Sequence, residues 1–279
     1  EPVPAVEGLS EAVLLGPGQG SVHLEVALSE LAPGATVPGH LHPFEESFFL
    51  LEGELLLALG ETRYRLGPGG FGVVPLATPH AWANPGTEPA RWLRARAPQP
   101  RPLGGSRGVY LAPELDPPAE GRRVEAGDPT VRHVGVFADD HLPPPGAPLA
   151  MPGLRAPAVR NVSVWMLVDE LLGARHHTLF VVQYAPGAPE ARPAGDHFHP
   201  FEEAFYFLRG RALGRFEDEE RTVGAGDLAW AGVGALHAFA NPNPEPVRWL
   251  EIQAPPPPAA GAFFFARDWV GLEERACGA

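Results

Sequence analysis

Residues 40–53 read HLHPFEESFFLLEG, and residues 197–210 read HFHPFEEAFYFLRG. Nine of these fourteen aligned positions are identical. The offset that carries His40 onto His197 also carries His80 onto His237, Asn84 onto Asn241, and Arg91-Trp92-Leu93 onto Arg248-Trp249-Leu250. Upstream, Ala32-Pro33-Gly34-Ala35 matches Ala185-Pro186-Gly187-Ala188 at an offset four residues shorter, so the second copy carries a short loop insertion. A register held over so long a stretch is the mark of a duplicated domain, not of biased composition.

Each copy consists of short alternating segments separated by Gly and Pro turns, the pattern of an all-β barrel or sandwich. In the first copy, 47–51 and 54–59 read as strands around the Glu52-Gly53 turn, followed by 63–66, 72–75 and 80–84. The second copy gives 204–208, 212–216, 221–223, 228–231 and 237–241 in the same order. Residues 101–160, rich in Pro and Gly, read as an extended connector with short strands at 108–111 and 132–137. Helix is expected only at 266–275 and as a turn near 169–172. The expected organisation is an N-terminal barrel over 1–100, the connector over 101–160, and a C-terminal barrel with a short helix over 161–279.

Six of the eleven histidines fall in the repeat. Residues two apart on a strand point to one face, so His40 and His42, like His197 and His199, turn both imidazoles inward. Glu46 and Glu203 follow across a Pro-Phe bend, and a third imidazole arrives later from His80 or His237. Three neutral nitrogens and one carboxylate suit a divalent transition metal (Fe, Mn, Ni, Zn, Co or Cu), one per copy, and suit Ca or Mg poorly. Glu46 and Glu203 are also the candidate general bases, as carboxylates able to swing off a metal. Their neighbours Glu45 and Glu202 alternate with them and are expected to face outward. Phe44 and Phe201 flank the ligands, at the mouth or in the core. The Arg-Trp-Leu triplets are expected to pack at barrel edges, and His23, His133, His141, His176 and His177 to lie on surfaces or loops.

A formal charge of −13 argues against nucleic-acid and anionic-membrane surfaces, which favour basic patches. All positive charge is arginine; with no lysine, Schiff-base catalysis by lysine is excluded. The single Cys277 allows no intramolecular disulfide and lies outside the histidine clusters, which fits a cytoplasmic location. No run of apolar residues is long enough to span a membrane.

Both copies resemble the cupin family, whose motifs are G(X)5HXH(X)3–4E(X)6G and G(X)5PXG(X)2H(X)3N. The first copy matches with Gly34, His40, His42, Glu46 and Gly53, then with Gly69, Pro75, His80 and Asn84, having Ala77 where the family has glycine. The second matches with His197, His199, Glu203 and Gly210, then with Gly226, Gly234, His237 and Asn241. Gly187 is displaced by the inserted loop and Gly232 replaces the usual proline. The resemblance covers roughly residues 20–97 and 173–254. It implies two tandem double-stranded β-helix (jelly-roll) barrels joined by a long connector, each with a metal site inside.

A cupin fold hosts many activities. The first expectation is an oxygen-dependent dioxygenase of a small organic molecule, resembling quercetinases and gentisate dioxygenases. The second is a non-redox metal enzyme, similar to ureidoglycine aminohydrolases or to oxalate decarboxylases. The third is a ligand-binding cupin without turnover. A homodimer is expected, because cupin edge strands and apolar faces often pair between chains.

Overall fold

The computed structural model describes residues 6–101, 108–145, 147, 161–187, 195–259 and 261–265. The described residues fall into two units: those up to Asp139 with Leu167–His177, and those of Asp140–Met166 with the residues from Thr178 onward. The 101–160 stretch is thus shared between them, its described part up to Asp139 going with the first. The expected helix over 266–275 lies outside the described residues. Among the described residues, no helix is long and apolar enough to cross a membrane.

The first unit contains β1 (Leu9–Leu15), β2 (Glu25–Leu31), β3 (Thr36–Leu41), β4 (Glu45–Glu52), β5 (Leu55–Leu59), β6 (Thr62–Leu66), β7 (Gly70–Val74), β8 (His80–Ala83), β9 (Ala90–Ala97), β10 (Tyr110–Leu111), β11 (Arg122–Arg123) and β12 (Val134–Val136). They form two six-stranded sheets, ordered β1-β2-β9-β4-β7-β12 and β10-β3-β8-β5-β6-β11. The short strands β10, β11 and β12 extend these sheets by pairing with β3, β6 and β7. Two sheets with this interleaved strand order make a jelly roll.

The second unit repeats the plan with β13 (Val162–Val168), β14 (Thr178–Tyr184), β15 (His197–Phe198), β16 (Glu202–Arg209), β17 (Arg211–Phe216), β18 (Glu219–Gly224), β19 (Leu228–Ala231), β20 (His237–Ala240), β21 (Val247–Ala254) and β22 (Phe264–Phe265). Its five-stranded sheets are ordered β13-β14-β21-β16-β19 and β18-β17-β20-β15-β22. The turn expected near 169–172 belongs to the first unit and is a single one: Asp169 Oδ1 accepts the backbone N–H of Leu171 at 2.9 Å and that of Leu172 at 3.3 Å.

Apolar side chains fill each barrel beyond its histidines. In the first, Phe48, Leu50, Leu57, Trp82 and Trp92 are fully buried in one cluster. In the second, Phe180, Phe205, Phe207, Phe239 and Trp249 take that place. Each such side chain contributes roughly 1.5–3 kcal/mol on burial, so these clusters supply the rigid floor of the site. Trp92 and Trp249 correct the expectation that their triplets lie at barrel edges: β9 runs between β2 and β4, and β21 between β14 and β16.

The motif residues outside the histidines have structural roles. Gly53 and Gly210 turn with φ of +78° and +74°, and an added Cβ would meet the carbonyl oxygens of Pro89 and Pro246 at 2.5 and 2.7 Å. Only glycine fits both demands. Asn84 donates to the carbonyls of Leu31 and Glu88, and Asn241 to those of Tyr184 and Glu245, pinning equivalent loops.

Candidate metal centres

Strand pairing assembles the imidazoles. His40 of β3 stands opposite His80 of β8, and His197 of β15 opposite His237 of β20. Directly opposed residues project to the same face. His42 and His199 lie one residue past the ends of β3 and β15, and alternation returns them to that face. Glu46 and Glu203 come from the other sheet, as the second residues of β4 and β16. Each candidate centre therefore lies between the two sheets of its barrel, and all eight side chains are buried.

The imidazoles are oriented as metal ligands require. Each of the six commits Nδ1 to a backbone carbonyl: His40 to Pro38, His42 to Phe44, His80 to Thr78, His197 to Gly195, His199 to Phe201 and His237 to Ala235, at 2.6–3.0 Å. A carbonyl only accepts, so Nδ1 carries a proton and Nε2 is the ring nitrogen left to face inward. Phe44 and Phe201 stack on His42 and His199, with ring centroids 4.1 Å apart. Burial favours the neutral rings: His42 is pushed down to about 4 and His197 to about 3, with His40 and His80 also lowered.

In the second barrel, one ligand atom each from His197, His199, Glu203 and His237 lie within 4.8 Å of one another. Glu203 Oε2 stands 2.7 Å from Nε2 of His199 and 3.1 Å from Nε2 of His237. In the first barrel His42, Glu46 and His80 meet that criterion, while His40 stands outside the group. The Nε2 atoms of His42 and His80 and Oε1 of Glu46 are buried without hydrogen-bond partners. Buried polar atoms are almost always satisfied, so orphans that converge on one point fit a cation there. Three imidazoles and a carboxylate suit a divalent transition metal.

The electrostatics behind the two carboxylates differ. Glu46 Oε2 accepts Arg94 Nη2 at 2.5 Å and Arg96 Nε at 3.0 Å. Arg96 also binds Glu25 at 2.6 Å, and both guanidiniums bind Glu11. Burial opposes the charge on Glu46, but the two arginines outweigh it and hold the carboxyl well below its usual range. In the second barrel the equivalent positions are Glu251 and Gln253. Gln253 Nε2 donates to Glu203 Oε1 at 2.6 Å. Burial, and after it the charge of Glu203, push Glu251 well above the usual carboxylate range. Trp249 Nε1 donates to Glu251 at 3.0 Å. His199 is raised, because ionised Glu203 outweighs burial.

The sequence pattern of the Cupin domain matches residues 27–95 and 180–253, one match in each barrel. The chain belongs to the cupin family. Among curated proteins, none matches this cupin by sequence. An oxalate decarboxylase variant from Bacillus subtilis superposes with a TM-score of 0.59 at 16% identity, covering 97% of this chain and 79% of its own. AerE from Microcystis aeruginosa gives 0.58 at 16%, covering 91% and 96%. The Lactobacillus farciminis oxalate decarboxylase in complex with formate gives 0.59 at 17%, covering 95% and 85%. At such identities the likeness is one of fold: this chain is a bicupin.

Several expectations for this bicupin are corrected. Glu45 and Glu202 do not face solvent; both are almost fully buried. Glu45 accepts the backbone N–H groups of Arg175 and His176 at 2.9 Å, and His177 Nδ1 stands 3.4 Å away. A covering segment thus buries the outer face of β4, and His177 with it, so that residue is not on the surface. The residues that sequence reasoning missed are Glu11, Glu25, Arg94, Arg96, Glu251, Gln253, Phe263 and Phe265. Part of the signal was readable: past the shared Arg-Trp-Leu, copy one continues Arg-Ala-Arg and copy two Glu-Ile-Gln.

Proposed function

We infer that this bicupin is a metal-dependent enzyme moving protons on a small organic acid by non-redox chemistry. A divalent transition metal would be held in each barrel, by His40, His42, His80 and Glu46, and by His197, His199, His237 and Glu203. Bound there, such an ion supplies Lewis acidity toward a substrate oxygen. The observation that carries the reading is the carboxyl pair of the second barrel. Gln253 holds Oε1 of Glu203, whose carboxyl lies well below the usual carboxylate range, while that of Glu251 behind it is pushed well above that range. A base with an acid at its back is equipped for the proton transfers of decarboxylation, isomerisation or elimination. Oxalate decarboxylases, which share the bicupin fold, lend support to a metal-dependent reaction on a small acid, and the Bacillus subtilis enzyme has Mn(II) centres.

A second reading, dioxygenation, rests on a different observation. Phe263 and Phe265 have ring centroids 6.0 and 5.6 Å from that of His197, and Phe263 lies 5.8 Å from Phe201. An aromatic wall beside the candidate ligands suits a planar phenolic substrate. Dioxygen consumption across small carboxylic acids and phenols, on protein loaded with Mn, Fe or Ni, separates the two. Turnover without oxygen uptake, with solvent deuterium entering the product, is the expected result. Oxygen consumed in step with substrate would replace the proton-transfer reading with dioxygenation. The setting we infer is a cytoplasmic homodimer, which light scattering checks against the 29.8 kDa chain mass.

A further inference from the structure

The two barrels carry the same candidate ligands, yet the side chains that grip their glutamates have opposite character. In the first, two guanidiniums hold one oxygen of Glu46, leaving Oε1 as its one free ligand atom. The balancing carboxylates, Glu11 and Glu25, contact the arginines rather than the imidazoles. Glu46 is therefore neutralised at close range, and its compensation lies one layer further out. His40 is the imidazole that stands outside the close group. In the second barrel, Glu203 is held by a neutral amide, and its Oε2 is drawn in among the imidazoles.

A positive charge beside a ligand weakens a cation's binding by Coulomb repulsion, strongly so in a buried site. A carboxylate tied down by two donors is also less free to follow the ion. Both effects act on the first barrel and neither on the second. We propose that Arg94 and Arg96 make the first barrel the weaker metal site, so that the two centres fill in sequence, the second before the first. This rests on the metal-site reading of the preceding section but not on the reaction assigned there. Arg94 and Arg96 are positioning residues: they act through Glu46.

The test uses the full-length chain in two single-site forms, His42→Ala, which leaves the second centre, and His199→Ala, which leaves the first. Each is titrated with Mn(II), free ion being read by electron paramagnetic resonance. His42→Ala is expected to bind at least about tenfold more tightly, roughly 1.4 kcal/mol. Equal affinities, or a tighter first barrel, would overturn the proposal while leaving the ligand assignment intact. No binding by either form would overturn both.

The cause is tested in the His199→Ala background by the paired change Arg96→Gln with Glu25→Gln, which removes one charge of each sign. An affinity rising about tenfold toward that of the second centre supports the arginine's role; an unchanged affinity contradicts it. Should that variant not fold, Arg94→Gln with Glu11→Gln tests the same point, with the same two outcomes, at the network's more exposed end.

Discussion

Gln253 donates its amide N–H to Oε1 of Glu203 at 2.6 Å, in a fully buried setting. That bond satisfies one oxygen of an ionised carboxylate and turns the other toward three imidazoles. Replacing Gln253 with leucine leaves Oε1 buried without this donor. The expected cost is about 1–3 kcal/mol of stability, read as a lower denaturation midpoint in urea with chelator present. An unchanged midpoint would mean that water replaces the amide.

Acid should destabilise the metal-free protein over a defined range. His42 and His197 are held neutral, with values pushed down to about 4 and about 3, whereas the unfolded chain takes up those protons near the ordinary histidine value. Between those limits the unfolded state binds more protons, so stability falls as pH drops from about 6.5 toward 4. Glu46 and Glu203, lowered in the fold, add to the loss below the ordinary carboxylate range. Raised His199 acts the other way, its contribution present in acid and lost as pH rises. The melting temperature should therefore decline toward acid, and His197→Gln should flatten that slope. An equal slope in wild type and variant would contradict the assignment of His197 as buried and neutral.

Glu251 contributes with the opposite sign. Burial first, and the charge of Glu203 after it, raise its pKa, so the fold holds this proton to higher pH than the unfolded chain does. Its contribution is fully present below the ordinary carboxylate range and is lost as pH rises through the raised value. Glu251→Gln keeps the shape and removes the titration, so its stability relative to wild type should improve from pH 5 to pH 8. A constant difference across that range would count against a protonated Glu251.

Ala77 holds the turn that presents its backbone N–H to the carbonyl of His42 at 2.9 Å, and it does so with φ of +55°. Gly234 makes the equivalent bond to His199 at 3.0 Å with φ of +78°. A left-handed conformation costs an L-residue roughly 1–2 kcal/mol, part of which glycine returns through its freer unfolded chain. Ala77→Gly should raise stability by about 0.5–1 kcal/mol. Destabilisation on chemical denaturation would contradict this.

The duplication, the jelly roll and the candidate ligand set were legible because the repeat preserves them and strand alternation aims the histidines. Strand ends differed by a residue or two; β4, for example, begins at Glu45 rather than 47. What stayed hidden depends on distant partners. Glu45 follows the alternation and does point away from Glu46, but residues 175–177 cover it, and no local pattern announces a contact so far along the chain. The charge network behind Glu46 likewise joins β1, β2, β4 and β9 across the sheet. Only the divergence between RWLRARA and RWLEIQA hinted that the two barrels differ in chemistry.

That covering segment gives its own test. Glu45→Ala leaves the N–H groups of Arg175 and His176 without their acceptor. Amide exchange should quicken across 167–177 while the core strands β9 and β16 stay protected. Unaltered exchange in the segment would show that Glu45 does not anchor it.

We infer that each barrel holds one metal through its own imidazoles and glutamate. The most direct measurement is metal content after saturation with Mn(II) and removal of free ion, compared between the intact protein, Glu203→Ala and Glu46→Ala. Close to two equivalents are expected for the first and close to one for each variant. Two equivalents retained in both variants would contradict it.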